Sequence, residues 1–181
     1  MGSRDLRDLD PEVEEAAREF LDSAAREGID LLVTCTARGL EEQGTLYKAG
    51  RTVQEWERKA VELDNRGLTL CALYQRVAPS PNPKSKIVTK AGAGESWHNW
   101  GRALDVVPRR GKELVWSTAG EDGELWARVG RLGELAGLSW GGRWERFRDF
   151  PHFELLPPRK RVWDAARDYE LRMRAEYGTR T

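Results

Sequence analysis

Four short apolar runs separate amphipathic helical patterns along this 181-residue chain, and that alternation limits the folds available to it. The runs are "IDLLVTCTA" at 29–37, "ALDVV" at 103–107, "LSWGG" at 138–142 and "HFELL" at 152–156. The first is β-rich and too short for a typical helix, and the others follow the same pattern, so four strands are expected, the last two joined by a turn. Because strands and helices do not alternate in a regular βαβ rhythm, the chain is expected to be α+β.

Helical periodicity and end signals predict the remaining elements. Asp10 and Pro11 are typical of a helix start, and Gly28 of its end. Further helices are expected over 41–49, over 53–77 with a break at 65–67, over the segment "ELWARVGRLGELAG" ending at Gly137, and over about 159–177. Prolines and serines in "APSPNPKSK", residues 78–86, predict a loop that closes a helical hairpin.

Composition excludes several classes of function. Lysine plus arginine and aspartate plus glutamate number 30 each, so nucleic-acid binding lacks its usual electrostatic driving force. No run of about eighteen apolar residues and no signal peptide is visible, so we expect a chain made in the cytoplasm and not inserted in a membrane. The chain is also expected to be a monomer. Cys35 and Cys71 lie in apolar runs and are expected to pack in the core, although a disulfide between them stays open.

Both histidines of the chain lie between aromatic residues and close to an aspartate. His98 stands in "ESWHNWGRALDVV" ahead of Asp105, and His152 stands in "RDFPHFEL" three residues after Asp149. A bend at Gly101 would bring His98 near Asp105, and imidazole and carboxylate are both zinc ligands. His152 is the candidate third ligand, and Asp149 is placed to accept a proton from an attacking water. On spacing alone, hydrogen-bonded structural histidines are an alternative, since the spacing is not a generic zinc signature.

Three ordered blocks resemble one known family. "SWHNWGRALDVV" has the form S-x-H-x-x-G-x-A-x-D, and with "WGGRWERFRDFPHFEL" it resembles the peptidoglycan-cleaving zinc peptidases of the D-alanyl-D-alanine carboxypeptidase and L-alanyl-D-glutamate endopeptidase family, which includes bacteriophage endolysins. The upstream "TARGLEEQGTLYKAGRT" also resembles this family's pattern. The resemblance covers about 28–155 and implies a Hedgehog/DD-peptidase-like α+β fold, with a small antiparallel sheet flanked by helices.

The resemblance also implies a role for each candidate residue. His98, Asp105 and His152 would bind Zn²⁺, and Asp149 would be the general base of a zinc metallopeptidase. For each of these four positions, the role implied by the resemblance agrees with the zinc-site chemistry inferred from the residues alone.

Three further residues acquire roles through the resemblance. Arg38 is implied to stabilise the oxyanion of the tetrahedral intermediate, which is also electrostatically sensible. The alternative for Arg38 is a surface ion pair with Glu41 or Glu42. Gln43 and Ser96 are implied to line the site as hydrogen-bonding, substrate-binding residues.

The residues before the last ligand indicate the substrate. Family members that cut D-Ala-D-Ala typically have an E-x-W-H arrangement, whereas D-F-P-H here resembles the L-alanyl-D-glutamate endopeptidase branch. The expected partner is therefore the stem peptide of bacterial peptidoglycan, and the expected place of action is the cell wall, the host's wall if the chain is a phage lysin. The alternatives are a D-Ala-D-Ala carboxypeptidase or dipeptidase, and a non-catalytic wall-binding module in which zinc only maintains the fold.

A single domain over 1–181 is expected, with a catalytic core at about 28–156. Family members commonly pass quickly from a glycine-arginine pair, here Gly50 and Arg51, to a valine-threonine pair, here Val88 and Thr89. The helical segment at about 53–86 is therefore predicted to be an insertion that could roof the substrate groove. Aromatic walls for that groove are expected among Trp97, Trp100, Trp140 and Trp144, although most of these are expected in the core.

Overall fold

The computed structural model describes residues 2–82, 84–157 and 160–177. The helices and strands in chain order are α1 (Pro11–Arg26), β1 (Asp30–Cys35), α2 (Leu40–Lys48), α3 (Val53–Asn65), α4 (Thr69–Val77), β2 (Ala103–Arg110), β3 (Glu113–Leu114), α5 (Gly120–Leu135), β4 (Ser139–Trp140), β5 (His152–Glu154) and α6 (Val162–Tyr177). These elements form two compact units. The sheet unit comprises 2–37 and 101–156, and the helical unit comprises 38–100 and the described residues from 157 onward.

The sheet unit contains an antiparallel sheet in the order β1-β2-β5-β4, with β3 paired to β2. This confirms the α+β class. Two details differ from the prediction. The short strand β3 was not expected, and β4 and β5 are joined by residues 141–151 rather than by a turn. The reason is that "GGRWERFRDFP" lacks the alternation of a strand and begins with a 3-10 turn at Gly141–Arg143.

Two amphipathic helices complete the core of the sheet unit. Helix α1 buries one stripe of residues at helical spacing, namely Val13, Ala17, Phe20 and Ala24. Helix α5 contributes Trp126, Val129 and Leu132 to the same cluster. The ring of Phe20 lies 4.6 Å from that of Phe153 in β5, centroid to centroid. The predicted start of α1 at Pro11 and its termination before Gly28, with φ +71°, are both confirmed.

The predicted helical hairpin is present in the helical unit as α3 and α4. Thr52 and Glu55 form a capping box at the start of α3, and Gly67, with φ +77°, follows its end. The first N–H groups of α4 are satisfied from α6, because Glu170 accepts hydrogen bonds from Leu70 N at 2.6 Å and Cys71 N at 3.1 Å. This buried carboxylate therefore links α6 to the hairpin.

Several smaller predictions have a definite outcome. Cys35 and Cys71 are both buried and no disulfide joins them. Burial, reinforced by the charges of Glu170 and Glu95, raises the pKa of the Cys71 thiol to about 12. Apart from Pro83, which lies outside the described residues, 78–86 contains no helix or strand. The predicted start of the last helix at 159 also lies outside them. No helix in the described ranges is long and apolar enough to cross a membrane.

Candidate active site

Three side chains of the sheet unit occupy one row across adjacent strands. Asp105 in β2 pairs with Cys35 in β1 and with His152 in β5. Residues directly opposite in antiparallel strands project to the same face, with Cβ atoms about 4.5–5.5 Å apart. Sequence spacing brought Asp105 and His152 into the candidate site, but Cys35 was predicted only as a core residue. Its register opposite Asp105 could not be inferred from local pattern, since the β1–β2 pairing shifts between Val33 and Cys35.

His152 lies between two carboxylates. Its Nδ1 is 3.3 Å from Asp105 Oδ1, and its Nε2 is 2.9 Å from Glu154 Oε2. Side-chain exposure is 8% for His152 and 11% for Glu154, so this contact is largely removed from solvent. Glu154 was missed by the sequence analysis. A signal was available, because positions i and i+2 of a strand share a face.

The donor set of this row fits a zinc ion. Two ligands about 2.0–2.1 Å from a tetrahedral zinc lie about 3.3 Å apart, which is the separation between His152 Nδ1 and Asp105 Oδ1. Metal-binding histidines usually direct their second ring nitrogen to a carboxylate, backbone carbonyl or water. Glu154 is a carboxylate in that position.

The position of Asp149 is fixed by a main-chain hydrogen bond to Gly141, the residue that follows β4. Gly141 O accepts hydrogen bonds from Asp149 N and from Trp144 N, each at 3.1 Å, and His152 N donates to Asp149 O at 3.2 Å. A Cβ at Gly141 would lie 2.5 Å from Asp149 O, which is shorter than a non-bonded contact allows. Gly141 is therefore required for the close approach of Asp149 to the end of β4, a role that the sequence analysis missed.

Most of the four tryptophans were expected in the core, but only Trp140 is buried, whereas Trp97 and Trp100 are half-buried and Trp144 is exposed. Trp140 is buried and its Nε1 donates to Phe150 O at 2.9 Å. Trp144 is 38% exposed, and its ring centroid lies 5.1 Å from that of His152. Of the two, Trp144 is the candidate for an aromatic wall.

The helical unit contains the other predicted residues. Arg38 Nη1 donates to Gln43 Oε1 at 2.9 Å, and Arg38 N donates to His98 O at 3.0 Å. Gln43 is fully buried, and its Nε2 donates to Ala91 O at 2.7 Å. The structure therefore brings Arg38, Gln43 and the backbone of His98 together within the helical unit.

Ser96 and His98 lie on consecutive turns. Ser96 is half-buried and accepts a hydrogen bond from Asn99 N through its carbonyl at 3.0 Å, while His98 is buried in the 3-10 turn Trp97–Trp100. Asp105, Asp149 and His152 belong to the sheet unit, whereas His98 and Arg38 belong to the helical unit. The three-ligand set and the roles of the individual residues stay predictions.

Comparisons with known proteins give the class of the chain. A family model described as D-alanyl-D-alanine carboxypeptidase matches residues 89–155, a range that includes both histidines. The peptidoglycan L-alanyl-D-glutamate endopeptidase CwlK of Bacillus subtilis is 32% identical over 155 residues, which cover 83% of this chain and 75% of CwlK. These matches place the chain in the class of peptidases.

The chain belongs to the D-alanyl-D-alanine carboxypeptidase and L-alanyl-D-glutamate endopeptidase family of zinc peptidases. The resemblance predicted from the three sequence blocks is thereby confirmed.

Two solved structures were also found to be similar. The L-Ala D-Glu endopeptidase ChiX of Serratia marcescens has a TM-score of 0.47 at 18% identity, with 93% of this chain and 92% of ChiX covered. A VanB-type vancomycin resistance D,D-pentapeptidase, VanY, in complex with Zn(II), has a TM-score of 0.46 at 16% identity, with 90% and 78% covered.

Proposed function

We propose that this chain is a zinc-dependent peptidoglycan peptidase that hydrolyses the L-alanyl-D-glutamate bond of the stem peptide. Membership of a zinc peptidase family supports the reaction class, and the L-alanyl-D-glutamate endopeptidase activity of the relative CwlK supports the bond. The observation on which the proposal chiefly rests is the cluster of Asp105, His152 and Glu154, because it combines two donors at the separation of zinc ligands with a carboxylate on the second ring nitrogen of the imidazole.

The proposed zinc ligands are His98, Asp105 and His152. When bound by such ligands, zinc polarises the scissile carbonyl and lowers the pKa of water towards about 7. Glu154 would keep the proton of the His152 imidazole on Nε2, which leaves the Nδ1 lone pair for the metal. Glu154 thus fixes the Nε2 edge of the ring, and the Nδ1 edge faces Asp105, the neighbouring proposed ligand.

Asp149 is proposed to move the proton. Its carboxylate would accept a proton from the water that attacks the L-alanyl carbonyl carbon and would deliver it to the nitrogen of the departing D-glutamyl residue as the C–N bond breaks. The main-chain hydrogen bonds to Gly141 and His152 fix the backbone of Asp149 beside the proposed ligand.

Arg38 is proposed to stabilise the negative charge that develops on the carbonyl oxygen. The hydrogen bond from its Nη1 to the buried Gln43 restricts the guanidinium group before the substrate arrives. Gln43 would therefore act by orienting Arg38.

Two alternatives have specific support. The family model is described as a D-alanyl-D-alanine carboxypeptidase, which favours cleavage of the terminal D-Ala-D-Ala bond. The register of Cys35 opposite Asp105 favours the second alternative, a non-catalytic module, because a thiolate could close a structural zinc site with a fourth protein ligand.

Digestion of purified peptidoglycan by zinc-loaded and chelator-stripped protein, followed by mass spectrometry of the fragments, tests the proposal. We expect new N-terminal D-glutamate only with the zinc-loaded protein. Release of D-alanine would assign the chain to the carboxypeptidase branch. Stoichiometric zinc without any fragment would favour the non-catalytic module.

A further inference from the structure

The turn at 91–96, which directly precedes His98, is bonded to the α3–α4 hairpin at two buried points. The first is Gln75 in α4, whose Oε1 accepts a hydrogen bond from Ala93 N at 3.0 Å. Gln75 is fully buried, and its Nε2 has no hydrogen-bond partner among the described residues. A buried amide that is only half satisfied costs stability relative to an apolar side chain. The favourable interaction that Gln75 makes here is therefore its hydrogen bond to Ala93, which holds the turn against α4.

The second point is an ion pair between α3 and the turn. Lys59 Nζ lies 3.1 Å from Glu95 Oε2, and the two side chains are 14% and 6% exposed. Glu95 Oε2 also accepts a hydrogen bond from Gly92 N at 2.8 Å, so the carboxylate braces the turn from within. Burial alone would lower the pKa of Lys59, but the hydrogen bonds and charges of Glu62 and Glu95 raise it, so the lysine stays charged at neutral pH.

Close packing adds a geometric constraint. Gly94 has φ +80°, and a Cβ there would lie 2.5 Å from Cys71 Sγ in α4. The indole Nε1 of Trp100 donates to Gly94 O at 3.2 Å. The turn therefore lies against α4 at a separation that only glycine permits.

Asn99 connects this turn to the proposed catalytic residues. Gly94 N donates to Asn99 Oδ1 at 3.1 Å, and Asn99 Nδ2 donates to Arg38 O at 2.9 Å. Arg38 N in turn donates to His98 O at 3.0 Å. A continuous series of hydrogen bonds thus runs from the turn to the backbone of both Arg38 and His98.

We propose that the α3–α4 hairpin is a positioning element that fixes the orientation of His98 and Arg38 through Lys59 and Gln75. This inference rests on the proposed function, in which His98 is a zinc ligand. It assigns the predicted insertion a positioning role instead of the role of a roof over the substrate.

The test compares Lys59→Met and Gln75→Leu with Lys48→Met as the matched control. Lys48 is also a buried lysine of the helical unit, and its Nζ donates to Arg76 O at 2.8 Å and to Ala78 O, at the C-terminal end of α4. For each variant, zinc affinity is measured by competition with a chromophoric chelator, the Tm is measured on the stripped protein, and kcat and KM are measured with a stem peptide.

We expect Lys59→Met and Gln75→Leu each to weaken zinc binding several-fold, at most about tenfold, because they act through the turn and Asn99, whereas residues bonded directly to a metal ligand typically change affinity about 10- to 100-fold. They should lower kcat with little change in KM, whereas Lys48→Met should lower only the Tm. Lys59→Arg should restore most of the zinc affinity. Wild-type zinc affinity in both test variants, with a Tm loss like that of the control, would overturn the inference. A rise in KM at unchanged kcat would overturn it in favour of a substrate roof.

Wild-type protein and His98→Ala separate this result from failure of the proposed function. If the wild type binds no zinc, or if His98→Ala binds zinc as tightly as the wild type, the proposed ligand set is wrong. If zinc binding depends on His98 but not on Lys59 or Gln75, only the positioning role is refuted.

Discussion

Replacing Glu154 tests the proposed metal centre most directly, because this residue is not itself a proposed ligand. Its Oε2 lies 2.9 Å from His152 Nε2, while the opposite ring nitrogen lies 3.3 Å from Asp105 Oδ1. Glu154→Leu removes the acceptor and leaves the ring fixed on one edge only. Glu154→Gln keeps an oxygen acceptor but removes the charge that makes the imidazole a stronger donor to the metal.

The structure sets the expected order of these effects. Loss of an outer carboxylate typically weakens metal binding about 10- to 100-fold, so Glu154→Leu should fall in this range and Glu154→Gln should be affected less. Zinc dissociation constants from chelator competition measure both, with Glu12→Gln as a control that removes an ion pair to Arg102 in the same unit. Leucine at 154 with wild-type zinc affinity would refute the reasoning. Equal losses for both substitutions would indicate that Glu154 is a ligand.

Four further outcomes are expected. Asp149→Asn should keep one zinc per chain while kcat falls about 10²- to 10⁴-fold, and loss of zinc would show that Asp149 is a ligand. Gly141→Ala should lower kcat on the order of 100-fold in single-turnover assays, because its Cβ would displace Asp149 O. Cys35→Ser should keep zinc and activity, whereas loss of zinc would favour the structural module. Burial raises the pKa of Cys71 in the folded chain to about 12, so above about pH 8.5 the thiol loses its proton only in the unfolded chain. The free energy of unfolding should therefore be unaffected by this thiol below about pH 8.5 and fall above it. In urea titrations, the wild type should lose about 2 kcal/mol more of this free energy between pH 8 and 10 than Cys71→Ala does.

Much of the fold could be predicted because local signals determine it. Pro11 and Gly28 define the ends of α1, and the break at 65–67 separates α3 from α4. The family, too, is visible in local blocks of sequence. The link between β4 and β5 was harder, since a charged, aromatic segment without periodicity shows only that it is neither helix nor strand.

Glu154 could have been found from its i, i+2 spacing to His152 within one strand. Gly141 and Asn99 could not, because they act through contacts that depend on the close approach of backbone segments. The spacing of residues along the chain does not show which backbone segments come into close contact. The buried pair of Lys59 with Glu95 is similarly invisible, because the two residues are far apart in sequence and each resembles an ordinary surface charge.

Strand register links the proposed chemistry of this chain to its stability. Asp105 and His152 face each other only because β2 and β5 pair in their observed register, and a slip by one residue would turn Asp105 to the opposite face of the sheet. If both bind zinc, the ion stabilises this register against all others. Free zinc at about 100 times its dissociation constant would then add about 2.7 kcal/mol to the unfolding free energy. Stripping the metal should therefore weaken the β2–β5 pairing before it affects α1 and α5, whose apolar contacts do not depend on the ligands.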